Sequence, residues 1–129
     1  MNDYKMIRRD PSYSRLCSID MHVMHNESLR WLEKSLSEST SKTNVVVTHH
    51  APSIKSIPEK HRNDLVSAGY ASNLESFIYK TKPDLRIHGH VNEAFDYCIG
   101  QTRIISNPKG YPGENSAGFK DNLIKELSA

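Results

Sequence analysis

Cysteine is scarce in this sequence, and long apolar runs and blocks of like charge are missing. The two cysteines, Cys17 and Cys98, form no CxxC pair, which argues against a disulfide framework or a zinc knuckle and favours reduced thiols in a cytoplasmic protein. No segment approaches the ~18 apolar residues of a membrane helix, and the N-terminus lacks the apolar core of a signal peptide. Acidic and basic residues are interspersed, with a net charge of +2, so nothing indicates binding to nucleic acid or acidic lipid.

The apolar share of the sequence is low for a free-standing domain. The length of 129 residues predicts a single domain over residues 1–129. Apolar residues make up 36% and charged residues 25% of the sequence, which predicts a thin hydrophobic core. A thin core with unpaired sheet edges favours self-association or a partner chain.

Strands and helices alternate along the chain, which predicts an α/β fold. Three adjacent valines suit a strand that is covered on both faces, and Ser72-Asn73-Leu74-Glu75 fits a helix capping box. The tail DNLIKEL fits a helix and a strand equally well. The predicted elements are a weak strand over 2–8, a helix over 19–37, a strand over 44–48, a long loop over 53–70, a short helix after Ser72, a strand over 85–88 and a hairpin of 95–99 and 102–106.

Two of these strands end in a pair of histidines. His49 and His50 follow the valine strand in THHAP, and His88 and His90 end the next strand in LRIHGHVNE. Sites in α/β sheets are built at the carboxyl ends of strands, and neutral imidazole is a common ligand of divalent transition metals. The spacing alone leaves a metal-binding role and a structural role open. The histidines without such a context, predicted to lie on a helix face or in a loop, are His22, His25 and His61.

Three segments follow one another along the chain: THHAP, HGHVN and FDYCIGQTRIISNPKGYPGEN. Together they resemble the C-terminal half of a calcineurin-like metallophosphoesterase. The likeness includes the opening NDY and the segment ESLRWLE, so it covers nearly the whole chain. It implies a partial metallophosphoesterase sandwich, in which a mixed sheet is flanked by helices. It also implies hydrolysis of phosphomono- or diesters at a dinuclear site of divalent Mn, Fe or Zn ions.

The resemblance assigns roles to five residues of this chain. His49 and His90 would ligate one metal ion, and Asn92 would face the other, because it occupies the position of the second histidine in the family's Gly-His-x-His motif. His50 and His88 would be catalytic groups that orient the ligands or face the substrate.

Several motifs of the family are missing from the sequence. Its Asp-x-His, Gly-Asp and Gly-Asn-His motifs supply the bridging aspartate and most other metal ligands. The sequence has Asp-x-His only at Asp20-Met21-His22, inside the predicted helix, and it has neither Gly-Asp nor Gly-Asn-His. Two imidazoles and one weak amide ligand predict an incomplete metal site, with little or no activity in the isolated chain.

Two other readings of the sequence stay open. The chain could be a catalytically inactive, truncated or degenerate fragment that binds a partner, such as a separate N-terminal half. It could also be a hydrolase that uses Ser53, Ser56 or Cys98, although no G-x-S-x-G elbow is present and Cys98 falls at a predicted packing position in a strand. Nothing in the sequence identifies the substrate beyond a phosphate ester.

Overall fold

A computed structural model describes residues 3–64, 71–114 and 116–127. The chain divides into two compact units, Met1–Ser39 and Thr40–Ala129, and the single domain expected from the sequence stays a prediction. In chain order the elements are helices α1 (Asp3–Met6) and α2 (Ser18–Ser37), strand β1 (Val45–Thr48), helix α3 (Glu75–Thr81), and strands β2 (Leu85–His88), β3 (Phe95–Ile99) and β4 (Thr102–Ser106). None of the described helices combines the length and apolar character that a membrane span requires.

The first unit is built on the long helix α2, which confirms the helix predicted over 19–37. At its start, the Asp20 carboxylate accepts hydrogen bonds from the Cys17 backbone N–H and thiol, and it pairs with Arg9 at 2.7 Å. These contacts lower the pKa of Asp20, and the bond from the Cys17 thiol is the largest cause. The weak strand predicted over 2–8 is wrong, because α1 occupies Asp3–Met6.

The second unit contains a four-stranded mixed sheet in the order β1-β2-β4-β3. Strand β2 pairs in parallel with both β1 and β4, whereas β3 pairs antiparallel with β4. The predicted α/β fold is therefore confirmed. Because β1 and β2 are parallel neighbours, their carboxyl ends lie side by side at the same end of the sheet.

The hairpin of β3 and β4 forms where the sequence predicts it. Gly100 has φ +59 at the turn, a conformation that glycine adopts without a steric cost. Next to the turn, Ile99 and Ile104 pack against Ile78 of α3 to form one of two small buried clusters. The other cluster contains Ala51, Ile57 and Val91. Both clusters are small, as the low apolar content predicts.

Strand β1 lies at the edge of the sheet, and its valines are not covered on both faces. Val46 is 5% exposed, whereas Val45 and Val47 are 48% and 71% exposed. Alternate residues of a strand point to opposite faces, and within the unit Thr40–Ala129 the described residues leave the face that carries Val45 and Val47 exposed. The prediction of a doubly covered strand is therefore wrong.

Helix α3 begins later than its predicted capping box. Its N-cap is Leu74, and the two polar ends of the expected box make tertiary contacts instead. The Ser72 backbone N–H donates to the Ala51 carbonyl at 2.9 Å, and the Glu75 carboxylate accepts a hydrogen bond from Ser53 at 2.6 Å. The capping-box prediction is wrong because both groups hold the segment after β1 against α3.

Two segments without long regular elements complete the second unit. The predicted loop contains two short 3-10 turns, Ile54–Ser56 and Glu59–His61, while its residues 65–70 fall outside the described residues. The tail forms neither the helix nor the strand that its sequence allows over 121–127. Instead, Lys125 pairs with Asp96 of β3 at 2.6 Å, which fastens the tail to the hairpin.

Candidate metal site

The parallel pairing of β1 with β2 brings the two histidine motifs together. Thr48 lies opposite His88 in the register of the sheet. Beyond the strand ends, the Gly89 backbone N–H donates to the His49 carbonyl at 3.0 Å. This bond keeps the two segments side by side, so His90 comes close to His49 and His50.

Three of the four strand-end histidines form a compact cluster, here called the histidine triad: His49, His50 and His90. Their ring centroids are 4.9 Å apart for His49–His50 and 4.7 Å apart for each of the other two pairs. Each ring offers one nitrogen, and the three nitrogen atoms all lie within 4.8 Å of one another. His49 and His50 are exposed and His90 is half-buried, so the triad is accessible from solvent.

The donor set of the triad fits a divalent transition-metal ion. Zinc–nitrogen bonds of ~2.0–2.1 Å place the nitrogens of a tetrahedral site roughly 3.3 Å apart. The nitrogens of the triad lie within 4.8 Å of one another, so the rings would have to rotate closer together to reach that spacing. Three imidazoles with one open position is a donor set that catalytic zinc sites use, and imidazole also suits copper, iron and nickel, whereas Mg and Mn favour oxygen ligands. No carboxylate joins the triad among the described residues.

His90 has a left-handed backbone conformation, with φ +63. This conformation costs a residue with a Cβ roughly 1–2 kcal/mol, and such strain persists only where the surrounding structure holds it. The backbone at His90 therefore depends on contacts made by its neighbours.

His88 lies outside the triad and is 3% exposed. Its Nδ1 lies 3.1 Å from the Gly89 carbonyl oxygen, and its Nε2 lies 2.8 Å from the Ser56 hydroxyl. Burial lowers the pKa of His88, and the nearby positive charge of Arg86 lowers it further. Of the two roles that the family resemblance implies for His88, this burial fits an orienting role better than a substrate-facing one.

Asn92 is exposed, two residues beyond His90 in the segment that joins β2 to β3. Its assignment as a ligand of a second ion stays a prediction. The histidines predicted to lie on a helix face or in a loop are not members of the triad: His22 and His25 lie on α2, and His61 lies in a 3-10 turn. His22 contacts Asn26 at 2.9 Å on α2, and His61 contacts Asp64 at 2.9 Å.

Arg86 is a buried charge that the sequence reading missed. It is 3% exposed, and burial lowers its pKa to about 10, so the guanidinium is charged at neutral pH. Its Nη2 contacts the Thr48 hydroxyl at 3.4 Å, and that hydroxyl donates to the His50 carbonyl at 3.2 Å. Its Nε and Nη1 have no hydrogen-bond partner within the described part of the chain. The sequence offers one sign of this buried charge, because Arg86 is a charged residue inside a short apolar run.

Ser56 and Tyr97 are two further residues that sequence reasoning did not connect with the site. The Ser56 hydroxyl lies 2.8 Å from His88 Nε2 and 2.7 Å from the Tyr97 hydroxyl. These contacts span 32 and 41 residues of sequence, and no local pattern in the sequence marks them.

The same burial argues against a serine or cysteine hydrolase. Ser53 and Ser56 are 1% and 0% exposed, so neither hydroxyl can meet a substrate. Cys98 is exposed on β3, contrary to the packing position expected from the sequence. No described histidine contacts its thiol to act as a base.

No family model, curated protein or solved structure matches this chain. What the chain does has therefore to be inferred from the histidine triad, from the groups around it and from the motifs in the sequence.

Proposed function

We propose that this chain binds one divalent transition-metal ion through His49, His50 and His90, and that zinc is the best fit. The observation that carries this proposal is the mutual approach of three imidazole nitrogens to within 4.8 Å. The backbone bond from the Gly89 N–H to the His49 carbonyl holds the two segments that carry these histidines side by side. The all-nitrogen donor set favours zinc over manganese.

The ion serves the hydrolysis of a phosphate ester, as part of a calcineurin-like phosphoesterase site. Two observations support this use: THHAP and HGHVN follow neighbouring parallel strands, and the three imidazoles leave part of the coordination sphere open. A divalent ion held there supplies Lewis-acid stabilisation of the charge on a phosphoryl oxygen. The chain's own contribution is to fix the three nitrogens and to leave that side accessible.

His50 becomes a metal ligand in this proposal. The resemblance alone makes it an orienting or substrate-facing group, but its ring lies as close to His90 as the His49 ring does, at 4.7 Å. A third nitrogen ligand strengthens metal binding that two imidazoles alone would make weak. Substituting His50 separates the two roles, because the loss of a ligand weakens metal binding more than the loss of an orienting group does.

The isolated chain hydrolyses phosphate esters slowly or not at all. A two-metal mechanism needs a second ion beside the first, and no carboxylate joins the triad among the described residues to bridge two ions. The Asn92 amide is a weak ligand for the second ion. A catalytically inactive binding fragment would carry the same triad, and a bound metal ion that does not bind phosphate would favour that alternative.

Binding of inorganic phosphate to the cobalt(II)-loaded protein tests this proposal, because cobalt(II) replaces zinc and its visible spectrum reports on its ligands. We expect phosphate to change the spectrum of the wild-type protein and of the control His25→Ala, whose residue lies on α2. His90→Ala should lose both the cobalt signal and the phosphate response.

Two outcomes would contradict the proposal. A cobalt signal that ignores phosphate would leave a metal site without a phosphoesterase role. Rapid hydrolysis of p-nitrophenyl phosphate by the isolated zinc-loaded chain would contradict the single-ion site, since a complete catalytic centre would then be present.

A further inference from the structure

We propose that a buried chain of hydrogen bonds, from Tyr97 through Ser56 to His88, positions His90 for metal binding. This inference rests on the proposed metal site, because positioning matters only if His90 is a ligand. The direction of its hydrogen bonds, however, can be measured in the metal-free protein.

The direction of each bond in this relay follows from the groups involved. The Gly89 carbonyl can only accept, so the His88 Nδ1 that lies 3.1 Å from it carries a proton. His88 is buried without a carboxylate partner, which favours the neutral ring, and its Nε2 is then an acceptor. Ser56 must donate its one hydroxyl proton to that Nε2 at 2.8 Å, so the Tyr97 hydroxyl donates to Ser56 at 2.7 Å.

The relay is largely shielded from solvent in the folded protein. Ser56 is 0% exposed and His88 is 3% exposed, and the Tyr97 side chain is partly buried on β3. Removal of the Ser56 hydroxyl leaves the His88 Nε2 without its donor. The neutral ring can then exchange its proton between the two nitrogens, and the bond to the Gly89 carbonyl is lost in the tautomer that lacks the Nδ1 proton.

The relay ends on the peptide group that precedes His90. The Gly89 carbonyl accepts from His88, while the Gly89 N–H donates to the His49 carbonyl at 3.0 Å. Two bonds therefore hold this residue from opposite sides, directly before the left-handed His90 with φ +63. Rotation of the Gly89–His90 peptide would break the His88 bond and carry the His90 ring away from the triad. His88, Ser56 and Tyr97 are thus positioning residues and do not touch the metal.

Substitution of Ser56 tests the relay with two readouts. In the metal-free wild-type protein, nitrogen-15 NMR of the His88 ring should show the proton on Nδ1, and Ser56→Ala should give a mixture of tautomers. The zinc dissociation constant of Ser56→Ala should rise about tenfold, the lower end of what loss of a group that orients a ligand costs, while the stoichiometry stays unchanged. A residue with a merely structural role would change stability without changing the zinc dissociation constant.

Tyr97→Phe is the second variant, and it carries the test if Ser56→Ala does not fold. Its matched control is Tyr79→Phe, since Tyr79 is 54% exposed on α3. We expect Tyr97→Phe to weaken zinc binding by about threefold, less than Ser56→Ala does, because Ser56 can still donate to His88. The control should bind zinc like the wild type.

The outcomes separate this inference from the proposed function. If the wild type binds no zinc, the proposed function fails, and the relay then has no metal ligand to position. A His88 ring with its proton on Nε2 would overturn the relay even if zinc binds. Folded Ser56→Ala and Tyr97→Phe proteins with wild-type zinc affinity would also overturn it.

Discussion

Arg86 carries its guanidinium group into the sheet next to the strand end that holds the triad, and two of its nitrogens lack a hydrogen-bond partner among the described residues. A buried charge without a counter-ion is destabilising, whereas an apolar side chain of similar length removes that cost. Burial dominates the electrostatics of this residue, since it lowers the pKa to about 10. Arg86 is therefore a natural target for substitution.

We expect Arg86→Met to raise the free energy of unfolding by about 1–2 kcal/mol, because methionine fills the site without a charge. Urea unfolding followed by circular dichroism measures the change. Arg103→Met is the control: Arg103 is paired with Asp96 near the surface, and its loss should not stabilise the protein. A destabilised Arg86→Met would mean that the guanidinium has a buried partner.

Single substitutions in the triad should weaken zinc binding strongly and equally. We expect His49→Ala, His50→Ala and His90→Ala each to raise the zinc dissociation constant by at least about tenfold, because removing a ligand costs more than removing a group that orients one. Competition with a chromogenic chelator measures these constants. His22→Ala on α2 should bind zinc like the wild type, and wild-type affinity in His50→Ala would mean that His50 is not a ligand.

At the residue scale, the sequence predicts which histidines belong to the strand ends at the site, but not the contacts that hold each of them. The motifs name His49, His50, His88 and His90 because these follow apolar strands. The burial of His88 and its bond to Ser56 depend on a contact across 32 residues. Such contacts leave no local pattern, because either partner alone reads as an ordinary polar residue.

At the scale of elements, the β3–β4 hairpin is fastened by a cluster of charges. Asp96 accepts hydrogen bonds from Arg103 at 2.8 and 3.0 Å and from Lys125 at 2.6 Å. These contacts lower the pKa of Asp96 to about 2, and the bonds from Arg103 are the largest cause. The cluster joins both strands of the hairpin to the tail.

The Asp96 cluster should make stability depend on pH in acid. The folded-state pKa lies below the usual value of 3.8, so the stabilisation is present above 3.8 and is lost as the pH falls towards 2. We expect Asp96→Asn to lower the free energy of unfolding by about 1 kcal/mol near pH 7, since solvent screens this partly exposed cluster, and to flatten the decline in acid. Urea titrations at several pH values measure both effects.

The control for this prediction is Asp121→Asn, because Asp121 is exposed in the tail. It should keep the wild-type acid dependence. If Asp96→Asn declined in acid as steeply as the wild type, the Asp96 cluster would not be the cause of the dependence.

Elements with a strong local signal are predicted well, and those that depend on distant contacts are not. Helix α2, strand β2 and the hairpin follow their apolar spacing and turn residues. The capping box at Ser72 fails because Ser53 and the Ala51 carbonyl compete for its two polar ends. The valine strand is misjudged because apolar residues alone do not reveal that β1 lies at the edge of the sheet.

At the scale of the whole molecule, metal binding should stabilise one of the two compact units. The triad belongs entirely to the unit Thr40–Ala129, whereas α2 belongs to Met1–Ser39. A ligand at 100 times its dissociation constant stabilises the folded state that binds it by about 2.7 kcal/mol. That gain in stability appears as slower hydrogen exchange at amides whose exchange requires the binding unit to unfold.

We expect zinc to slow hydrogen exchange in β1, β2 and β4 and to leave α2 unchanged. Mass spectrometry of the exchanging amides, with and without zinc, measures this, and His90→Ala should show no response. Equal protection of α2 would mean that the two units unfold together as the single domain predicted from the sequence.

The most direct measurement is a calorimetric titration of the metal-stripped protein with zinc. The histidine triad should bind one zinc ion per chain, more tightly than manganese, and His90→Ala should weaken this binding at least about tenfold. Absence of zinc binding, or binding of one ion with wild-type affinity in His90→Ala, would contradict the metal site. Two tightly bound ions per chain would mean that further ligands complete a dinuclear centre.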